Sequence, residues 1–167
     1  HHATTQLLIE WLQQLVRPDD RVLDVGTGSG ILAMVALRLG AAEALGVDFD
    51  AVAVECAREY AQVNGFDGRL TLAVGHAQVR PPHETLNPTL VLANLDRQTL
   101  LASADMLCEY AAGGARLLLS GLLVEQRAEI EAAYASRGVY VKAVRERDGW
   151  LALEATGMET CDGGLCS

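Results

Sequence analysis

Arg21-Val22-Leu23-Asp24-Val25 runs directly into Gly26-Thr27-Gly28-Ser29-Gly30 and then into Ile31 to Leu39, a stretch that is almost wholly apolar and stops at Gly40. A short β-branched run bounded by glycine reads as a strand. An apolar run that follows a glycine turn and ends on a glycine reads as a buried helix. Glu43 to Val47 supplies a second strand, closed by Asp48. Strands joined through a helix must lie parallel with a right-handed crossover, so this one segment restricts the chain to a layered α/β architecture.

The remainder repeats that alternation. Thr4 to Val16 predicts an amphipathic helix with Leu7, Leu8, Trp11, Leu12 and Leu15 on one face, ended by Pro18-Asp19-Asp20. Asp50 is placed to cap a helix over Ala51 to Val63, which Asn64-Gly65 ends. Arg69 to Val74 predicts a third strand, and a looser segment with Pro81, Pro82 and Pro88 follows it. Thr89 to Ala93 is continuously apolar, as suits a central strand buried on both faces. Gln98 to Ala111 predicts a helix broken by Gly113-Gly114, Ala115 to Leu119 a fifth strand, and Glu125 to Arg137 a helix ending at Gly138. Val139 to Val144 and Trp150 to Ala155 predict a closing hairpin around Asp148-Gly149. The expected fold is α/β: a seven-stranded, mostly parallel sheet with a C-terminal antiparallel hairpin and helices on both faces. One domain over 1–157 and a flexible tail over 158–167 are expected.

At 167 residues the chain suits one such domain, and with 50% hydrophobic and 21% charged residues it can build a packed core. No run approaches the roughly 20 apolar residues of a membrane span, and no signal peptide is visible, so the cytoplasm is the expected compartment. The formal net charge of −9 argues against direct nucleic-acid binding and is compatible with a basic, lysine-rich protein partner, although an acidic surface also serves solubility. Cys56 and Cys108 fall within helical patterns and are expected to be buried. Cys161 and Cys166, in Cys-Asp-Gly-Gly-Leu-Cys, offer two of the four ligands a structural zinc needs, so the reading is a frayed tail and no metal, with a redox pair or shared metal as the alternative.

Glycines at a strand-to-helix turn let a ligand lie against the main chain. Ile31 stands where the dinucleotide pattern Gly-x-Gly-x-x-Gly places its last glycine, which counts against a nicotinamide or flavin cofactor. No Lys-Ser/Thr pair follows the loop, so a triphosphate P-loop is excluded. Asp48, 20 residues beyond Gly28, is suited to accept hydrogen bonds from both hydroxyls of a ribose, its bland alternative being a capping or solvated aspartate. Asp24 is suited to anchor the loop's amides or to take a cofactor ammonium through water. Together these features point to a nucleoside-type cofactor.

Strand, Asp24-x-Gly26-x-Gly28-x-Gly30, helix, strand and Asp48 resemble the S-adenosylmethionine-dependent methyltransferases. More narrowly, Gly30-Ile31-Leu32-Ala33 with Leu39-Gly40-Ala41-Ala42, the opening His2-Ala3-Thr4-Thr5, and Ala93-Asn94-Leu95 resemble the PrmA family, methyltransferases of large-subunit ribosomal protein eleven. The similarity extends to about Gly157. It implies the Rossmann-like class I methyltransferase fold, S-adenosyl-L-methionine as cofactor, Thr4 and Thr5 close to it, the glycines at its methionyl part and Asp48 on its ribose. The chain departs from the family in lacking the separate N-terminal substrate-capturing domain and in beginning with a histidine, so a trimmed or excised domain is expected. Leu95-Asp96 replaces an apolar continuation, and Gly75-His76 stands where many methyltransferases carry an acid near adenine.

Asn94 ends the fourth strand and is expected both to bind the cofactor and, as the catalytic residue, to offer a side-chain or backbone carbonyl to an acceptor amine; Asp96 is either an assisting base or a solvated loop residue. Three functions are carried forward. The first is methylation of lysine or N-terminal amines of a protein such as a lysine-rich ribosomal protein. The second is N- or O-methylation of RNA or a small molecule, for which a basic patch or a narrow apolar pocket would speak respectively. The third is a cofactor-binding module without catalysis, for which an occluded acceptor site beside Asn94 would speak.

Overall fold

A computed structural model of the protein describes residues 2–76 and 86–157. The tail with Cys161 and Cys166, and Pro81 and Pro82 of the loose segment, lie outside the described residues. Seven strands form one sheet: β1 (Arg21–Val25), β2 (Glu43–Asp48), β3 (Leu70–Val74), β4 (Leu90–Asn94), β5 (Arg116–Leu123), β6 (Tyr140–Arg147) and β7 (Trp150–Thr156). Their order is β3-β2-β1-β4-β5-β7-β6. The β1 to β5 pairings are parallel, and β7 runs antiparallel to both β5 and β6. The expected hairpin is therefore present, with its second strand inserted against β5. Asp148 and Gly149, with φ of 52° and 81°, form its turn, as the paired positive φ values of a type I′ connection require.

Two apolar layers sandwich the sheet. α1 (His2–Leu15), α2 (Ile31–Arg38) and α3 (Ala51–Val63) bury Leu8, Trp11, Leu12, Leu32, Ala36, Val54 and Ala57 against the strand face carrying Val22, Leu90, Leu92 and Leu118. α4 (Arg97–Ala102), α5 (Ala104–Ala112) and α6 (Arg127–Ala135) bury Leu100, Leu107, Ile130 and Tyr134 against the alternate residues Leu23, Val91, Leu117 and Leu119. Strand residues point alternately to the two faces, so the central run Leu90–Ala93 has to be apolar throughout.

Several expectations are corrected. The segment Ile31 to Leu39 is not buried all round: only Leu32, Ala33, Ala36 and Leu37 of α2 face the sheet, and Ile31 and Leu39 remain 45% and 37% exposed. Cys108 is buried but Cys56 is exposed, because α3 turns Val54, Ala57 and Ala61 inward and position 56 falls off that stripe. The single helix expected over Gln98 to Ala111 is two, parted at Ser103 (φ −92°, ψ 0°), where the Tyr134 hydroxyl donates to the Leu100 carbonyl at 2.8 Å from the neighbouring helix. A 3-10 turn, Val124–Gln126, precedes α6. β5 continues past Leu119 because a register shift between Ser120 and Leu122 lets Leu122 and Leu123 pair with Leu151 and Trp150.

At the opposite end of the strands from the glycine loop, the Arg116 guanidinium donates to both Asp20 oxygens at 2.7 and 2.6 Å and to the Leu15 carbonyl at 2.6 Å. Asp20 also accepts from the Arg17 amide and the Thr89 hydroxyl, each at 2.7 Å. This buried node ties the end of α1 to the starts of β1, β4 and β5. Among the described residues no helix is long and apolar enough to cross a membrane.

Candidate active site

In an open α/β sheet the crevice for a ligand lies beyond the carboxyl ends of the strands where the order reverses. Here that point lies between β1 and β4, whose carboxyl ends carry Gly26 and Asn94. A cavity of about 540 Å³ opens there, lined by Gly26 after β1, Asp48 at the end of β2 and Phe49 after it, Gly75 and His76 after β3, and Asn94 at the end of β4 with Leu95, Asp96 and Thr99 beyond it. Two carboxylates and no Lys or Arg stand among its described lining residues.

The loop is bound to the sheet by its main chain. The Gly26 and Thr27 amides both donate to the Val47 carbonyl, at 2.8 and 3.0 Å, and Gly30 N–H donates to Thr27 O at 2.8 Å. Gly26, Gly28 and Gly30 all have positive φ, 74°, 55° and 81°. At Gly26 a Cβ would also fall 2.6 Å from Leu95 Cδ2, so a side chain there would displace the end of the leucine.

Asp48 is 9% exposed and accepts from the Gly28 amide through Oδ2 at 2.9 Å and from the Asp50 amide through Oδ1 at 3.0 Å. It thus ties the loop to the end of β2, while each oxygen keeps further acceptor capacity toward the cavity. Asp50 caps α3 as expected, accepting from Val52 N–H at 2.9 Å. Asp24 does not line the cavity: it is 1% exposed beneath the loop, and it anchors the loop through the Thr27 hydroxyl, 2.8 Å away. Burial drives its pKa up, the Thr27 hydroxyl and the Ala33 main chain pull it back, and Asp48 pushes it up again, leaving it at about 7.

Asn94 lies where expected, half-buried on the cavity wall at the end of β4. Asp96 is a helix cap: its Oδ1 accepts from Thr99 N–H at 2.7 Å, and that amide holds its carboxyl below the usual range. A carboxylate so stabilised in its ionised form is a poor base, so the reading of Asp96 as an assisting base is set aside. Gly28 and Gly30 support the turn without lining the cavity. Thr4 is buried and Thr5 half-buried on α1, and neither lines the cavity either.

The sequence assigned no role at the site to Phe49, Leu95 or Gly121. Phe49 is 74% exposed and its ring stacks with His76, centroids 6.5 Å apart and planes 9° apart. An aromatic directly after the acid of β2 was the available signal. Leu95 and Gly121 meet only through tertiary contact. A second cavity, about 410 Å³ between α2 and α3, is lined by Ile31, Met34, Val35, Tyr60 and Phe66 with Arg38, with no acid among its described lining residues; it shares none of the residues just described.

A family model described as ribosomal protein L11 methyltransferase (PrmA) matches residues 1–157. The ribosomal protein L11 methyltransferase of Ralstonia pickettii is 45% identical over 152 residues, covering 91% of this chain and 48% of that protein. The one from Burkholderia cenocepacia is 40% identical over 159 residues, covering 95% of this chain and 50% of that protein. The chain therefore spans about half the length of the curated relatives it matches. Among solved structures, ribosomal protein L11 methylase from Lactobacillus delbrueckii subsp. bulgaricus superposes with a TM-score of 0.85 at 28% identity, covering 95% of this chain and 80% of that one. A TehB-like SAM-dependent methyltransferase from Corynebacterium glutamicum, TM-score 0.70 at 13% identity over 89% of this chain and 86% of that one, shares the fold.

Proposed function

The chain belongs to the ribosomal protein L11 methyltransferase (PrmA) family, and from that membership we propose that residues 1–157 form an S-adenosylmethionine-binding catalytic domain that methylates amine nitrogens of a protein, with ribosomal protein L11 as the substrate and the cytoplasm as the setting. The observation that carries this reading is the composition of the switch-point cavity. It brings the Gly26 turn, Asp48 and Asn94 to one space that holds two carboxylates and no described cation. Such walls favour a ligand bearing positive charge and disfavour one bearing phosphates.

The residues present fit the cofactor. The volume lies within the range of small-molecule sites. Asp48 has acceptor capacity left for a ribose diol, the Phe49–His76 pair offers an aromatic shelf to a purine, and the Gly26 turn presents bare main chain. When bound, S-adenosylmethionine supplies an electrophilic methyl carbon on a sulfonium. The chain's own task is then alignment and exclusion of water. A lysine amine, with an ordinary pKa of about 10.4, sheds its proton more readily in a partly desolvated site. Asn94 offers that amine a carbonyl to donate to, which fixes its lone pair toward the donor.

Calorimetry and labelling test the proposal. The wild-type chain is expected to bind S-adenosylmethionine, and Asp48→Ala to bind about 1.5–3 kcal/mol more weakly, the range for a charge-assisted hydrogen bond. Radiolabelled methyl groups should pass to recombinant ribosomal protein L11. Equal affinity in the two proteins would remove Asp48 from the site, and label found only in RNA or small molecules would overturn the protein substrate.

A further inference from the structure

Leu95 is held at two points. Its side chain lies against the turn, where a Cβ on Gly26 would fall 2.6 Å from Leu95 Cδ2, and its carbonyl lies over Gly121, where a Cβ would fall 2.3 Å from Leu95 O. Gly121 has φ +93° and sits at the register shift of β5 between Ser120 and Leu122. The preceding residue of β5 holds Leu95 from the other side, the Leu95 amide donating to Ser120 O at 3.0 Å. Ser120 is also the register partner of Asn94. Both peptide groups of Leu95 are therefore seated on the bulge, while its side chain abuts the opposite wall of the cavity.

Both glycines are needed for this arrangement. A side chain at 121 would push the Leu95 carbonyl off β5, and a side chain at 26 would push the leucine out of the turn. A β-bulge bends the strand that contains it; here that strand is β5, and the Leu95 peptide that follows Asn94 rests on it.

We propose that Leu95, clamped between Gly26 and Gly121, is a positioning residue that sets the spacing between the glycine turn and the end of β4, and so the line on which a methyl acceptor meets the donor. The inference rests on the methyltransferase reading above and assigns the alignment to three residues outside the set expected to touch cofactor or substrate, apart from Gly26. Misplacement by about 1 Å costs roughly 10²-fold in rate, which is the effect expected when the clamp is loosened.

The test compares Leu95→Ala, Leu95→Met and Gly121→Ala in the full 167-residue chain. The readouts are S-adenosylmethionine affinity, Tm, kcat and KM with recombinant ribosomal protein L11, and the Leu95 methyl resonances during titration with S-adenosylmethionine. Leu95→Ala is expected to keep the cofactor affinity and KM of the wild type and to lose about 10²-fold in kcat, with Leu95→Met restoring most of it. Gly121→Ala should show the same split, and because its strained backbone also threatens folding, the Leu95 pair decides the matter if it does not fold. Leu95 methyl signals should move on cofactor binding in the wild type. A fall in Tm with kcat per folded molecule unchanged would overturn the proposal. So would Leu95 methyls that ignore bound cofactor, whether or not any transfer is seen. Binding with a methyl response but no transfer to ribosomal protein L11 would sink the substrate assignment, and the kcat comparison of the Leu95 pair would then decide the clamp with the acceptor that takes the radiolabel.

Discussion

Replacing Asp24 with Asn asks what it costs the fold to hold a carboxylate beneath the glycine loop. Asp24 is 1% exposed and its pKa stands at about 7 against an ordinary 3.8, with burial the leading cause. That gap corresponds to about 4 kcal/mol of preference for the neutral form in the folded state, at 1.36 kcal/mol per pH unit. Because the folded pKa is the higher one, the stabilising contribution is fully present below the unfolded value and is lost as pH rises through the folded value. Asn is neutral throughout and still presents an oxygen to the Thr27 hydroxyl, now 2.8 Å from Asp24 Oδ2. Urea unfolding of both proteins at about pH 4.5 and about pH 8 isolates the effect, since every other group titrates identically in the pair. The stability of Asp24→Asn relative to the wild type should grow by several kcal/mol between those conditions. A difference that stays constant with pH, or that shrinks as pH rises, would refute the reasoning.

Two further outcomes are expected. Arg116→Met leaves Asp20 buried without its guanidinium and should cost about 3–5 kcal/mol in chemical denaturation. Burial raises the Asp20 pKa, but Arg116, Arg17 and Thr89 outweigh it and hold the carboxyl below its usual range; its contribution is present above the ordinary carboxylate pKa and lost as pH falls, so the same variant should flatten the acid side of the stability profile. Asn94→Ala should keep near-normal cofactor affinity and Tm while losing about 10²-fold in turnover, and a parallel fall in Tm would mark Asn94 as a structural hydrogen-bonding residue instead.

The parts of the fold and site that could be read from sequence are those written in short-range patterns. Arg21–Arg38 spells strand, turn and helix in consecutive residues, Asp148-Gly149 spells its own turn, and Asp48 and Asn94 each close an apolar strand and so emerge at its carboxyl end. What escaped depends on which residues meet across the fold. The parting of α4 from α5 at Ser103 is accompanied by the hydroxyl of Tyr134, 34 residues downstream of Leu100, and no periodicity within the segment reports it. Cys56 looked internal because the helix around it is largely apolar, yet only one stripe of that helix can face a sheet. Asp96 could be read only as an assisting base or a solvated loop residue, and its capping of the first turn of α4 appears only in the structure. Phe49 and His76 become a pair only when β2 and β3 lie side by side, and Gly121 becomes indispensable only when the Leu95 carbonyl is laid over it.

The insertion of β7 between β5 and β6 has a consequence for how the chain is made. β6 emerges during synthesis before β7, yet β7 is the strand it pairs with, and β5 likewise waits for β7 along that edge. Until Trp150–Thr156 has been delivered, Tyr140–Arg147 is a strand without a template and the sheet beyond β5 cannot close. The nascent segment carries Lys142, Arg145 and Arg147, and cationic residues on an unpaired strand discourage its pairing with another chain. Because the Asp148-Gly149 turn joins them directly, β6 and β7 can pair as a local hairpin, and the non-local contact that closes the sheet is the docking of that hairpin onto β5 through β7.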